Sequence, residues 1–510
     1  MISHNRIGQQ GRIGNQLWQL AFIISQAHKE AVKPAFVDWP FSKYFLGDFS
    51  QRPNAVAKQV PEGQFHYDEN WLNGLEWESD LNFSGYYQSW RYFEGCEHLI
   101  REAFEFQPDF LDGIKIRYAH VFEKPTIAIH VRRGDYVGHA CYENLSPLHY
   151  LSALEQHFPD WRAQNIFIFS DDQSYTKLHF GCLPNAYFAD GNEVEDLAAM
   201  SLCESFIIAN SSFSWWGAWL SESKNVVRPA RHFKGKMADE NDTKDLYPPA
   251  WIPHEETRLN LKDVTFTLPV AFDSNDRQEN LELILSFLVK NFDTNIIVME
   301  QGGSKFEWTG EFFTYEKFEG HLFRRCEMLN RMARMATTPI IVNYDADVLF
   351  SPAQILESVR LIREGCDMCL PYSGRFVRMP RKEWYKRLKE SKDIGTVAGH
   401  KFPIIRRGDA QSSGGAVFFN RESFFKGGGE NQNLISFSPD DAERFERFTK
   451  LGFNVQRVNG SCYHMEHWCG SNSGTTHAFI AANRLEWQKI AGMSKSELEA
   501  EIKTWNWVEK

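Results

Sequence analysis

The stretch from Asp245 to Val270, DLYPPAWIPHEETRLNLKDVTFTLPV, most constrains how this chain can fold. Pro248, Pro249 and Pro253 interrupt regular pairing, and the HEETRLN that follows is too polar to bury. The run reads as a linker, after which VTFTLPV begins a new apolar strand. It falls at the middle of 510 residues. A single core stops growing near about 250–300 residues, so two domains are predicted, 1–256 and 257–510. A formal charge of -11 argues against a general nucleic-acid partner. No run of about 18 apolar residues suggests a membrane span, and the polar MISHNRIGQQGRIGNQ lacks a signal-peptide core. Nine cysteines, without a framework spacing, fit reduced thiols. The expectation is a cytoplasmic protein, with peripheral attachment to a membrane left open.

In the first half, GRIGNQLWQLAFIISQAHKE carries Leu17, Leu20, Ala21, Ile24 and Ala27 at helical spacing. Gly11 and Gly14 flank Arg12, so a ligand can approach the helix start closely. Alone, this is an ordinary loop-to-helix turn. Three apolar strands then repeat one design. Thr126–Val131 runs into Arg132, Arg133, Gly134, Asp135 and Tyr136. NIFIFSDD ends in Ser170, Asp171 and Asp172, and SFIIANSSFSWWGAWL ends in Asn210, Ser211 and Ser212 before a helix expected near Trp215. Polar residues just past strand C-termini are where open α/β sheets bind ligands. The arginines offer planar forks for phosphate oxygens, and the Asn-Ser-Ser turn offers a second anion seat. Asp171 or Asp196 can accept hydrogen bonds from a base or a ribose. The half has no D-x-D, so a departing diphosphate would be stabilised by arginine and helix-end donors.

GRIGNQLWQLA, GYYQSWRYF, HVRRGDYV, IFSDD, DLAAMSLCESFIIANSSFSWWGAWL and DLYPPAWI together resemble the α1,2-fucosyltransferase family over residues 5 to 254. The resemblance implies a GT-B-like fold, GDP-fucose as donor, inversion at fucose C1 and no required metal. It implies a donor site made of Gly14, Asn15, His130, Arg132, Arg133, Asp171, Asp196, Asn210, Ser211, Ser212, Phe213 and Ser214. Arg132 would bind the phosphates, with His130, Arg133 and Asp135 in support. Two roles stay open for Asp135: general base, or a group that orients Arg132.

In the second half, VTFTLPV, NIIVMEQ and PIIVNYDADVLFSP read as further strands with polar ends. Asp345-Ala346-Asp347 past a buried strand can share a divalent ion with a nucleotide diphosphate. SPDDAERFERFTKLGF begins a helix, with Ser438 as the expected cap and Asp440 and Asp441 in its first turn. Those acids either complement the helix dipole or include a base for an acceptor hydroxyl. His464 and His467 lie three apart and can join the aspartates in a mixed N/O set suited to Mn²⁺. A structural zinc site from Cys366, Cys369, Cys462, His464, His467 and Cys469 is the competing assembly.

LPVAFDSNDRQENLELILSFL, FRRCEMLN, NYDADVLFSP, SSGGAVFFNRESF, PDDAERFERFTKLGF and GSCYHMEH are similar to the β1,4-galactosyltransferase branch of GT-A enzymes, over 264 to about 468. That resemblance implies metal ligands Asp345, Asp347, His464 and His467, with Asp441 as base. It implies a UDP-sugar site of Pro269, Arg277, Arg325, Asp345, Ala346, Asp347, Gly414, Gly415 and Asp440, with Arg325 on the diphosphate. Phe437 stands where an aromatic would cover the sugars. The basic segment 375–408 reads as an acceptor loop, a seat for a lipid phosphate, or a solvated helix. A capping box is expected at Ser494–Glu497.

The fold class expected is α/β, a GT-B-like domain followed by a GT-A, Rossmann-like domain. The function expected is a bifunctional glycosyltransferase. Its second domain adds a hexose from a UDP-sugar, UDP-galactose first among the donors, using Mn²⁺. Its first adds fucose in α1,2 linkage from GDP-fucose without a metal. The acceptor is an oligosaccharide or lipid-linked glycan. The alternatives are UDP-glucose, UDP-GlcNAc or UDP-GalNAc at the second site, or a second half that only binds sugar or holds zinc.

Overall fold

The computed structural model describes all residues except 55–56, 303–312, 320–321, 406–410, 437–438, 469–476 and 509–510, and the side chains of 382, 383 and 405. The chain divides into two units, Met1–Thr176 with Asn185–Glu256, and Lys177–Pro184 with Thr257–Lys510. No helix among the described residues is long and apolar enough to cross a membrane.

The first unit holds two all-parallel sheets. In one, β1 (Ile2–Ser3) lies between β2 (Pro34–Ala35) and β4 (Leu81–Ser84), with β3 (Lys58–Pro61) outside β4. The other contains β5 (Thr126–Val131), β6 (Asn165–Ser170), β7 (Ala186–Phe188), β8 (Ser205–Ile207), β9 (Asn225–Pro229) and β10 (Ile252–His254). Its spatial order, β7-β6-β5-β8-β9-β10, is the 3-2-1-4-5-6 order of a doubly wound sheet. The winding reverses between β5 and β8, which opens a crevice beyond their C-terminal ends. Every residue of β5 is buried, as a parallel strand covered on both faces requires.

Two helices fix that crevice. The first, Ile13–Lys29, packs Trp18 with its ring 4.2 Å from that of Trp215. The second, Ser212–Leu220, buries Trp215 and Trp216 and starts earlier than Trp215 because the Ser211 hydroxyl accepts from the Phe213 N–H.

The seam differs from the linker expected. Ile252–His254 form the outermost strand, parallel to β9, with Pro253 opposite Arg228. Proline is tolerated there because an edge strand has one side without ladder bonds. His254 is buried, and the next strand, β11 (Leu259–Val270), begins after only the segment 255–258. What read as a polar linker is therefore a three-residue edge strand, the segment 255–258 outside both strands where the two units divide, and the first residues of β11.

In the second unit β11 is central. With β12 (Phe292–Gln301), β13 (Thr314–Phe318), β14 (Ile340–Tyr344), β16 (Met368–Leu370), β19 (Ala416–Asn420) and β20 (Val455–Arg457) it forms the order β13-β12-β11-β14-β19-β16-β20. The strands β13 to β14 are parallel, and β19 runs antiparallel to β14. Here too the winding reverses beside the first strand, between β11 and β14. A small sheet ordered β15-β21-β17-β18 joins β15 (Val348–Leu349), β17 (Arg375–Met379), β18 (Ile404–Ile405) and β21 (Ser461–Met465). The helix Asp440–Leu451 has Pro439 at its cap position, and the expected cap Ser438 lies outside the described residues, as does Phe437. The capping box Ser494–Glu497 closes the helix Lys495–Thr504 as expected.

Candidate functional sites

Each unit places most of its expected residues at the reversal of its sheet; Asp196 is the exception. In the first unit, Arg132 and Arg133 leave the end of β5 and Asn210–Ser212 follow β8. Arg132 is held by two carboxylates, Asp171 at 2.7 Å and Asp135. Asp171 also accepts the Arg133 backbone N–H at 2.9 Å, so both of its oxygens serve the arginines rather than standing open for a ribose. Arg133 is buried, with its guanidinium 3.7 Å from the ring centre of Tyr175. One arginine is thus presented at the strand end and the other is packed behind it. His130 is buried against Phe213, ring centres 5.3 Å apart. Burial first, and then Arg132, lower its pKa to about 3, so it is neutral, and its Nδ1 has no hydrogen-bond partner among the described residues.

The two helix starts meet here. A Cβ on Gly14 would lie 2.6 Å from the Phe213 backbone nitrogen, so only glycine permits this approach of backbone to backbone. Asn15 Oδ1 accepts from Ser212 Oγ at 2.6 Å and from Gln88 Nε2 at 2.8 Å. That side chain therefore ties the end of β4 to the end of β8. Two helix N-termini converging beside an arginine make a seat for a polyvalent anion. Asn210 is buried, donates to the carbonyls of Glu143 and His232, and its own carbonyl accepts from Tyr136 at 2.9 Å. Ser214 is fully buried and its hydroxyl donates to the backbone carbonyls of Ala209 and Ser211, so it supports the turn. Asp196 lies in the helix after β7, at the far edge of the sheet, where burial raises its pKa to about 7 against the opposing Gly191 N–H.

In the second unit a cavity of about 1040 Å³ opens at the reversal. Pro269, Arg277, Arg325, Asp345, Ala346, Asp347, Gly414, Gly415, Asp440, Asp441, His464 and His467 all line it. The pairing of Val348 with His464 in the small sheet brings that histidine beside Asp347. His467 Nε2 lies 3.1 Å and His464 Nε2 3.7 Å from the Asp347 carboxylate. Ligand atoms of these three residues all lie within 4.8 Å of one another, the only such cluster among the described residues.

The donor set fits a divalent cation. His467 Nδ1 is 2.8 Å from the Trp468 carbonyl; a carbonyl only accepts, so Nδ1 carries the proton. Its Nε2 lone pair then faces a carboxylate, an arrangement that needs a proton or a cation between them. Burial favours the neutral forms here, yet His464, His467 and Arg277 outweigh it and hold Asp347 below the usual carboxylate range. Burial lowers the His467 pKa, but the Asp347 hydrogen bond overrides it and the net shift is upward.

Asp345 is turned elsewhere. It binds Arg325 at 2.8 Å, and Arg325 also pairs with Asp440 and lies 3.7 Å from Asp441. The four expected ligands therefore divide: three form the cluster, and the fourth belongs to the arginine. Burial, offset by Arg325, raises the Asp440 pKa to about 6. Asp441 accepts from Arg444 at 2.6 Å, and Arg444 is held by both oxygens of the fully buried Glu430, at 2.9 and 3.0 Å. A Cβ on Gly414 would lie 2.3 Å from Asp441 Oδ2, so glycine leaves that oxygen its room. Sequence reasoning missed Glu430 and Arg444. The only trace was an arginine three residues after Asp441, which any surface helix can carry.

The zinc assembly does not form among the described residues. Cys366 donates to the carbonyls of Met368 and Asn454, and Cys369, beside Cys366, to that of Leu370. Neither belongs to the histidine cluster. Cys469 lies outside the described residues, as do the arginines at 406 and 407 of the basic segment.

Residues 3–255 match glycosyl transferase family 11. An O-antigen biosynthesis glycosyltransferase, WbnK, from Escherichia coli is 30% identical over 38% of this chain and 67% of its own length. An alpha-1,2-colitosyltransferase from Escherichia coli is 29% identical over 36% of this chain and 66% of its own. The chain spans about two thirds of the length of these relatives. A solved Drosophila beta1,4galactosyltransferase 7 catalytic domain with xylobiose shares 15% identity, covering 38% of this chain and 64% of its own, at a TM-score of 0.23. A likeness of that size carries no argument. Through its first half the chain belongs to glycosyl transferase family 11.

Proposed function

We propose that this member of glycosyl transferase family 11 is a two-site glycosyltransferase, with a GT-B-like first domain over 1–256 and a GT-A-like second domain over 257–510. The first transfers fucose from GDP-fucose in α1,2 linkage to a galactose acceptor. The observation that supports it is the pair of helix starts beside Arg132, a seat that neutralises a departing diphosphate without a metal. Asp135, paired with Arg132, acts as a positioning residue for it. Colitose is the second reading for the transferred sugar, since one relative is a colitosyltransferase.

The second domain transfers a hexose from a UDP-sugar, with UDP-galactose as the leading donor and UDP-glucose, UDP-GlcNAc and UDP-GalNAc as the alternatives. A Mn²⁺ held by Asp347, His464 and His467 would supply charge neutralisation at the diphosphate. Arg325, which lines the cavity between Asp345 and Asp440, contributes a fork for the diphosphate. Asp441 takes the acceptor proton, and Arg444, itself held by Glu430, fixes the direction of its carboxylate. Placing both sites in one chain raises the local concentration of the galactoside made at one and used at the other.

The full-length protein with GDP-fucose, UDP-galactose and a glycan acceptor tests this. Arg132→Ala should stop fucosyl transfer and leave galactosyl transfer, and Asp347→Ala should do the reverse. Loss of both activities in either folded variant would refute two independent sites.

A further inference from the structure

The cavity of the second unit has a wall that neither the cation cluster nor the diphosphate uses. In the helix Asp440–Leu451, Glu443, Arg444, Arg447 and Phe448 are buried, whereas Asp441, Ala442, Phe445 and Glu446 line the cavity. Those four form one helical stripe. Phe445 and Glu446 therefore stand about one turn, ~5.4 Å, further along the helix than Asp441. Arg457 backs Phe445, its guanidinium 5.0 Å from the ring centre.

The helix Ile480–Gly492 supplies the rest of that wall, from beyond the stretch 264–468 that resembles galactosyltransferases. Ile480, Arg484 and Trp487 line the cavity, at the i, i+4, i+7 spacing of one helix face. The helix is anchored from another face. The buried Asn483 exchanges two hydrogen bonds with the backbone of Ile435, at 2.8 and 3.1 Å. Glu486 accepts from Asn431 and Asn433 at 3.0 and 2.9 Å. The Trp487 indole N–H donates to Glu446 at 3.0 Å, which fixes the edge of the ring against the helix that carries Asp441. Trp487 is only half-buried, and among the described residues no ring or cation stacks on its face. Arg484 is exposed and forms no ion pair with a described residue.

We propose that Trp487, together with Phe445 and Ile480, is the platform for the acceptor of the second site, taking the terminal pyranose of a glycan against the indole face. Arg484 donates to that sugar's hydroxyls from the cavity rim. The attacking hydroxyl must lie within hydrogen-bond reach of its base, so the acceptor belongs at Asp441. The sugar ring that carries this hydroxyl then spans the single helical turn to Phe445 and Trp487. A pyranose presents a face of C–H groups that gains by leaving water on an aromatic ring, whereas a diphosphate gains nothing there. The donor's diphosphate goes instead to the cation cluster and Arg325. This assignment rests on the reading of the second unit as a UDP-hexosyltransferase with Asp441 as its base.

The test is steady-state kinetics of the full-length protein with Mn²⁺, each of the four UDP-sugars named above, and the p-nitrophenyl β-glycosides of glucose, N-acetylglucosamine, galactose and xylose as acceptor probes. Trp487→Ala should raise the acceptor KM about tenfold, with the UDP-sugar KM within about twofold of wild type. Trp487→Phe, which keeps a ring, should restore most of the lost affinity. Arg484→Ala, at an exposed side chain, should raise the acceptor KM about threefold without lowering the Tm. An acceptor KM unmoved by either alanine would remove this wall from the acceptor site. A raised UDP-sugar KM would assign the ring to the nucleotide, and a lowered Tm without rescue by phenylalanine would assign it to the fold. Hydrolysis of a UDP-sugar with transfer to none of the four probes would show that the wall does not receive a pyranose. Each of these overturns the proposal. Failure of the wild type to turn over any UDP-sugar, by transfer or by hydrolysis, would instead bring down the reading beneath it.

Discussion

The two units answer one topological situation with different donor sets. Each sheet reverses its winding beside its first long strand, between β5 and β8 in one and between β11 and β14 in the other. At the first reversal the chain sets two arginines, each paired with aspartates, beside two helix starts: Arg132 with Asp135 and Asp171, and Arg133 with Asp172. At the second it gathers carboxylates and imidazoles: Asp345, Asp347, Asp440, Asp441, His464 and His467. Arginine forks and helix-start N–H groups can donate to a diphosphate directly, whereas a carboxylate flanked by two imidazoles needs an added cation to receive one. The contrast teaches that fold position sets where a ligand binds and side-chain charge sets what must come with it.

The sharpest way to break the contrast is Asp347→Ala. Transfer at the second site should fall at least about a thousandfold, and Mn²⁺ binding by calorimetry should vanish with it. Activity at the first site should persist in the same sample and in excess chelator. Chelator-sensitive fucosyl transfer would erase the distinction.

Arg132→Ala should cost the first site about 10²–10³ in kcat, the scale of losing one preorganised donor. Arg132→Lys should recover little, because a point charge does not replace the fork.

Acid separates the units next. In the first, burial lowers the pKa of His130, His149 and His232 to about 3 each. Each contributes stability present above its unfolded value of about 6.5 and lost as pH falls toward 3. In the second, Asp440 and His467 are raised, so their contribution is full at low pH and fades as pH rises through the folded values. His464, lowered by burial, follows the first unit's direction. Glu62 and Asp196 of the first unit, raised to about 7 by burial, oppose its histidines, and Asp347 of the second, held low against burial by His464, His467 and Arg277, shares their direction. Where the histidines dominate, hydrogen exchange at pH 4.5 against pH 7 should lose more protection in the first unit. Equal losses would show that these histidines do not govern acid stability. Mn²⁺ affinity should also weaken as pH falls, because the His467 proton must leave first.

Gly14→Ala should destabilise the first unit by about 1–3 kcal/mol, the usual cost of overpacking, and weaken GDP binding more than galactoside binding. The smallest effect belongs to Ser494→Ala, which removes a capping box for about 1 kcal/mol and should change neither activity.

Much of both sites was legible because strand ends carry a strong local signal. An apolar run that breaks into RRGD or DAD marks its own C-terminus, and the structure puts those residues where the pattern implies. What escaped was set by distance in sequence. Nothing local says that Asn15 joins Gln88 to Ser212, that Asp345 turns to Arg325, or that Glu430 holds Arg444 against Asp441. The seam misled for a different reason. Three prolines in six residues suggest a break, but an edge strand can absorb one of them, and only the neighbouring β9 reveals that an edge is there.

That edge position of Pro253 has a bearing on how the molecule behaves in a crowded solution. The outer rim of a parallel sheet is a template on which another chain can add a strand. Pro253 removes the donor from the middle of a strand of only three residues, and Pro229 ends the strand behind it. A foreign segment docking there finds almost no ladder to extend. The residue that looked like a signal to stop folding also keeps neighbouring molecules from continuing the sheet.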